Sequence, residues 1–207
     1  MSVLDKLATS LNISGSEPNK QLAKEIAGSK DKKAVKELVD NLYNKDKRIQ
    51  SDCIKVLYEL GELDPKLITD HVKPFIALLD SKNNRMQWGA MTALDMIALE
   101  HPALIYSSLG KIIAIADEGS VITTDHCVNI LLKLSTIETY KEDAFSLFIE
   151  QIDKCPTNQL PMYAENAVPV IDNDNRADFL KVLRARLRDV EKDSKRKRVE
   201  KVIKMVG

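Results

Sequence analysis

Three stretches decide the reading of this chain: Cys53-Ile54-Lys55-Val56-Leu57-Tyr58-Glu59-Leu60, Ala90-Met91-Thr92-Ala93-Leu94-Asp95-Met96-Ile97 and Cys127-Val128-Asn129-Ile130-Leu131-Leu132-Lys133-Leu134. They align without a gap at a step of 37 residues. One further step lands on Ala164, with Val168 and Ile171 in the positions of Leu57 and Leu60. Each copy places a small residue first and apolar residues four and seven positions later, which is one face of a helix.

A second apolar segment precedes each copy at the same step. Glu37–Tyr43 aligns with Pro74–Asp80, Lys111–Asp117 and Phe148–Lys154. The repeating unit is therefore a helix, a tight turn and a second helix. Asp64-Pro65 and His101-Pro102 occupy equivalent positions, where proline suits the first helical turn because its missing N–H would be unpaired there. Asp80-Ser81-Lys82-Asn83-Asn84 and Asp117-Glu118-Gly119-Ser120 are polar turns rich in helix-capping residues. The small position shared by Cys53, Ala90, Cys127 and Ala164 is where crossing helices approach most closely. This makes two of the three cysteines small buried apolar residues.

The pattern resembles the HEAT repeat family, most closely over Pro74 to Leu94, with Asp80 at the turn, Arg85 early in the second helix, and Ala90 and Leu94 inside it. Arg48 repeats the arginine and Asp117 the aspartate, whereas Ile122 and Tyr43 depart from the pattern. The resemblance implies an all-α, right-handed α-solenoid of about six helical hairpins with a period of about 37. One domain is expected over 1–207: capping helices over 1–30, four regular repeats over 31–172, and a basic helical pair over 173–207. Ser2 to Leu11 reads as a short amphipathic helix. A second helix around Leu22, Ala23 and Ile26 is expected to end at Gly28. Pro169 should kink or end the helix that holds it, and Asp172 to Asn175 reads as a polar turn.

The bulk of the sequence agrees. Of 207 residues, 44% are hydrophobic, 30% charged and 5% aromatic, with seven Gly and seven Pro. That mix argues against disorder and favours helices. No apolar run approaches the roughly 18 residues of a membrane span. The N-terminus lacks the layout of a signal peptide, so a cytoplasmic protein is expected. Cys53, Cys127 and Cys155 are too few and too dispersed for a disulfide framework or a zinc site, and His71, His101 and His126 are equally scattered. No glycine-rich phosphate loop, G-x-S-x-G elbow or HExxH motif occurs. The expectation is a chain with no catalytic site, metal or cofactor.

Two features remain to carry function. In HEAT-like stacks the second helices line the concave binding surface. Removing the core positions leaves Ser51, Lys55 and Tyr58 in one repeat, Trp88, Thr92 and Asp95 in the next, Asp125, Asn129 and Leu132 in the third, and Met162 and Asn166 in the fourth; of these Lys55, Tyr58, Trp88, Thr92, Asp95, Asp125, Asn129 and Asn166 are the candidate groove residues. Trp88 is the one tryptophan of the chain, and Trp and Tyr are favoured anchors. The alternative is that Trp88 packs between repeats. The second feature is charge. The formal net charge is zero, but Lys181 to Gly207 carries +7 and the remainder −7. The basic patch of Arg184, Arg188, Lys195, Arg196, Lys197 and Arg198 suits phosphates or an acidic partner. Otherwise it is a solvated end whose cations favour a helix C-terminus.

The leading expectation is a non-catalytic scaffold or adaptor that binds a protein partner. The alternative is nucleic-acid binding of the kind implied by resemblance to HEAT-like alkylated-base DNA glycosylases. Trp88 with Asp95 or Asp125 would then be the groove residues, although the basic residues gather at one end.

Overall fold

The computed structural model describes residues 2–207. Twelve α-helices and several 3-10 turns occur among the described residues, with no strand. The chain groups into two compact units, Met1–Cys127 and Val128–Gly207.

In the first unit, α1 (Glu17–Ser29) precedes three hairpins. These are α2 (Lys32–Asp40) with α3 (Lys47–Leu63), α4 (Val72–Leu78) with α5 (Asn84–Met96), and the pair α6 (Pro102–Ser107) and α7 (Leu109–Glu118) leading into α8 (Val121–Leu134). The boundary between the units falls within α8. The second unit continues with α9 (Lys141–Lys154) and α10 (Leu160–Ala167), then α11 (Arg176–Arg186) and α12 (Asp193–Val206). The helices thus follow the 37-residue punctuation of the sequence.

The local chemistry explains the boundaries. Asp31 caps α2 by accepting from the amides of Lys33 and Ala34, both at 3.0 Å. Asp46 caps α3 through the Arg48 amide at 2.8 Å, and the Arg48 guanidinium folds back onto the same carboxylate. That pairing holds the Asp46 carboxyl below its usual range. Asn83 caps α5 through Arg85. Each cap satisfies amides that the first helical turn leaves unpaired.

A tie inside the hairpin recurs at the same step. Gln50 donates to the Asn44 carbonyl at 2.6 Å, Gln87 to Leu79 at 3.0 Å and Thr124 to Ala116 at 3.0 Å. Each draws the start of a second helix onto carbonyls at the end of the first, where intrahelical partners run out.

Packing bears out the small position. Cys53, Ala90, Cys127 and Ala164 are each 0% exposed. Burial pushes the Cys53 thiol up to about 12, and the nearby Asp52 charge pushes the same way. Cys53 is thus a core residue that stays a thiol. The neighbouring Gly89 lets α5 approach α3 closely, because a Cβ there would meet Ile54 Cγ1 at 2.7 Å.

Two details at the N-terminus differ from the sequence reading. The amphipathic stretch forms only a 3-10 turn over Val3–Lys6, capped by Ser2. The tie that holds it is polar. Asn19 accepts from the Ala8 amide at 2.9 Å and donates to Asp52 at 2.7 Å, while Asp52 accepts from the Thr9 amide at 2.8 Å. These bonds use amides that a continuing α-helix would spend on itself. Helix α1 also runs through Gly28. It ends where Lys30 turns left-handed at φ 52°, with the Lys30 amide donating to the Ile26 carbonyl.

In the second unit α9 packs against α11, and α12 against α10 and α11. Helix α10 ends at Ala167, and a 3-10 turn over Val168–Val170 holds Pro169, as the missing proline donor requires. The polar turn forms as Asp172 accepts from the amides of Asp174 and Asn175. Arg186 clasps the C-terminal end of α9. It donates to Ile152 at 2.7 Å, to Cys155 at 2.8 Å and to the Asp153 carbonyl, and pairs with Asp189 at 3.0 Å. These carbonyls lie where α9 has no further amides to offer.

Gly89→Ala should gain about 1 kcal/mol in helix propensity but lose about 1–3 kcal/mol to overpacking against Ile54. The expected result is a net loss in denaturant unfolding. Arg186→Met should destabilise the chain by about 1–3 kcal/mol by removing the charge-assisted hydrogen bonds from the guanidinium to the carbonyls at the end of α9. Arg186→Lys should recover only part of that, because an ammonium cannot reproduce the planar fork.

Candidate functional site

The second helices of the first unit bring part of the expected groove set together. Tyr58 on α3 and Trp88 on α5 stack with ring centroids 5.7 Å apart and planes at 53°. Both are half-buried. Trp88 thus packs between repeats and still offers part of its ring to solvent, so the two sequence readings describe one side chain. Lys55 lies one turn before Tyr58 on α3, with Nζ 4.6 Å from the Tyr58 ring centroid. Arg85 lies one turn before Trp88 on α5, its guanidinium carbon 6.0 Å from that ring. The result is a row of cation, aromatic, aromatic and cation across two repeats. Tilted aromatic pairs and cations over aromatic faces are each worth on the order of 1 kcal/mol.

Glu59 completes the row by pairing with Lys55. Burial opposes the Lys55 charge, but the Glu59 hydrogen bond and the Tyr58 hydroxyl outweigh it and hold the ammonium above its ordinary value. Lys55 is therefore a pre-positioned cation on a half-buried stem. The row can grip an apolar or aromatic side chain on its rings and a carboxylate or backbone carbonyl at either end.

Thr92 and Asp95 sit deeper than a groove-lining position implies. Thr92 is buried and donates to the Trp88 carbonyl at 2.9 Å, so its hydroxyl is spent on its own helix. Asp95 is buried beside His126, with Oδ2 2.7 Å from Nδ1. Their roles are to fix α5 and to anchor α8 against it. Asp125, next to His126, is half-buried.

His126, Arg85 and Glu59 are the functional candidates that the sequence reading did not assign to the groove. The missed signal lies in the repeat itself. His126 stands at the same repeat position as Asp52 and Gly89, and each of these meets the preceding hairpin.

In the second unit Asn129 is half-buried on α8 and Asn166 is exposed on α10. The basic patch is partly spent on internal contacts. Arg198 forms a forked pair with Glu165 at 2.8 and 2.5 Å, which holds the Glu165 carboxyl below its usual range. Arg196 donates twice to the Val190 carbonyl, and Lys195 donates to Asn158. Arg184, Arg188 and Lys197 are exposed.

No helix among the described residues is long and apolar enough to cross a membrane.

No family model matches the chain, and no curated protein does. Solved structures match at low identity. An engineered protein from a structural genomics consortium superposes with a TM-score of 0.63 at 18% identity, covering 100% of this chain and 97% of that one. A designed armadillo repeat protein in complex with the peptide (KR)4 gives 0.68 at 14% identity, over 91% of this chain and 87% of its own. Another designed armadillo repeat protein gives 0.62 at 13% identity, over 99% and 100%. These likenesses, the 37-residue hairpin and the absence of strands among the described residues define an all-α, HEAT/armadillo-like helical-repeat fold.

Proposed function

We propose that this chain is a non-catalytic cytoplasmic scaffold that binds a protein partner, gripping a peptide segment on the second helices of its first unit. The observation that carries the reading is the row Lys55, Tyr58, Trp88 and Arg85. Aromatic and arginine side chains held in place by packing lose little entropy on binding and dominate interface energies. The engagement of Lys55 by Glu59 adds to this preorganisation. A designed armadillo repeat protein of similar fold is known in complex with a short peptide, which supports a peptide as the ligand.

A phosphate-binding role finds less support. Nucleic-acid affinity needs many cations free to neutralise phosphates, and Lys195, Arg196 and Arg198 already have partners within the chain.

The test is selection of a random-peptide display library against the folded chain. Selected peptides should shift the emission of Trp88, the single tryptophan, on titration. Tyr58→Ala should weaken them about tenfold or more. Peptides that leave Trp88 emission unchanged and bind Tyr58→Ala as tightly would refute the reading. In a gel-shift titration the chain should not retard duplex DNA even at low salt; retardation that weakens steeply with added salt would restore the nucleic-acid alternative.

A further inference from the structure

Within the second unit, the seam between α9 and α11 opens into a groove of about 850 Å³. Its floor is apolar: Phe145 and Ile149 from α9, and Val182 and Ala185 from α11. Its rims are acidic. Glu142, Glu150 and Asp153 line it from α9, Asp178 lines it from α11, and Glu138 and Asp174 stand in the preceding turns. Lys141 and Lys181 are the lysines of the lining. Lys141 is occupied by Asp172 at 2.5 Å and Asp174 at 3.7 Å. The seam therefore combines an apolar strip with an excess of negative charge, on helices distinct from those that carry the aromatic row.

We propose that this seam docks an amphipathic helix of a partner protein, with apolar residues on one stripe and Lys or Arg on both flanks. Charge complementarity selects the flanks, and the floor selects the stripe. The pattern runs from Glu142 to Asp153, twelve residues spanning roughly 16 Å of helix, which matches about three turns of a docked helix. An extended peptide is a poor occupant, because its backbone amides and carbonyls would need partners along the seam. The neutral polar side chains of the lining are Ser146 and Asn175. Asn175 is already committed, accepting from the Asp172 amide and donating to the Val170 carbonyl. A helix brings its own backbone satisfied and needs only a seam into which its side chains can pack.

The probe is a synthetic 14-residue helical peptide with leucines at i, i+3, i+4 and i+7 and lysines or arginines on both flanks. It is titrated by fluorescence anisotropy into the full chain. Saturable binding is expected, weakened at least tenfold by the double variant Glu142→Lys, Asp178→Lys. Both positions are exposed, so the variant should keep the wild-type helical spectrum and Tm. Tyr58→Ala should leave this binding unchanged, which separates its failure from failure of the peptide-gripping reading above. A peptide of the same composition with leucines and cations shuffled out of register should bind at least tenfold more weakly. Equal binding of the shuffled peptide would reduce the seam to unspecific charge attraction and overturn the proposal, as would no binding at 50 mM salt. Sedimentation of the chain alone should show one species at all concentrations. An association abolished by Glu142→Lys, Asp178→Lys would assign the seam to a second copy and overturn the partner helix.

Discussion

Close approach of successive second helices is the constraint on which the first unit depends. It is imposed at two adjacent repeat positions. The small residue, Cys53, Ala90 or Cys127, is removed from solvent entirely. The residue before it, Asp52, Gly89 or His126, reaches the hairpin behind it by a different means in each copy. Asp52 hydrogen-bonds to Asn19 and the Thr9 amide, Gly89 admits Ile54, and His126 meets Asp95. The same spatial requirement is met by carboxylate hydrogen bonding, by absence of a side chain and by an imidazole–carboxylate contact. Helix packing specifies a distance and leaves the chemistry open.

The candidate surface is a consequence of that spacing. Once α3 and α5 are drawn together, side chains on the face beside the contact line must also meet. Tyr58 finds Trp88, and the cations one turn earlier on each helix fall over the two rings. The row is rigid because its members hold one another, with Glu59 fixing Lys55. A surface that packs against itself yet keeps its rings half-open is suited to binding, since less ordering remains to be done when a ligand arrives.

The second unit distributes its charge differently from what a count along the chain suggests. The basic C-terminal stretch holds the unit together as much as it faces outward: Arg186 closes the end of α9, and Arg198 pairs with Glu165. Acidic residues, spread thinly over the sequence, converge instead along the α9–α11 seam. A linear run of Lys and Arg thus loses part of its charge to internal partners, while a dispersed set of carboxylates gains strength by juxtaposition.

The 37-residue recurrence was sufficient to read the hairpins, the buried small positions and the break at Pro169, because each rests on local propensity or on periodicity within one helix. It also singled out Lys55, Tyr58 and Trp88 as one surface. It could not place Thr92 and Asp95 correctly, since depth depends on how far a neighbouring helix covers a face. It also passed over His126, whose partner lies 31 residues away and not a full period. Tyr58 and Trp88 are likewise offset, by 30 residues. Equivalent residues are one repeat apart in the chain, but touching residues are shifted by the slide and crossing of one helix on the next. That shift arises only when the helices pack.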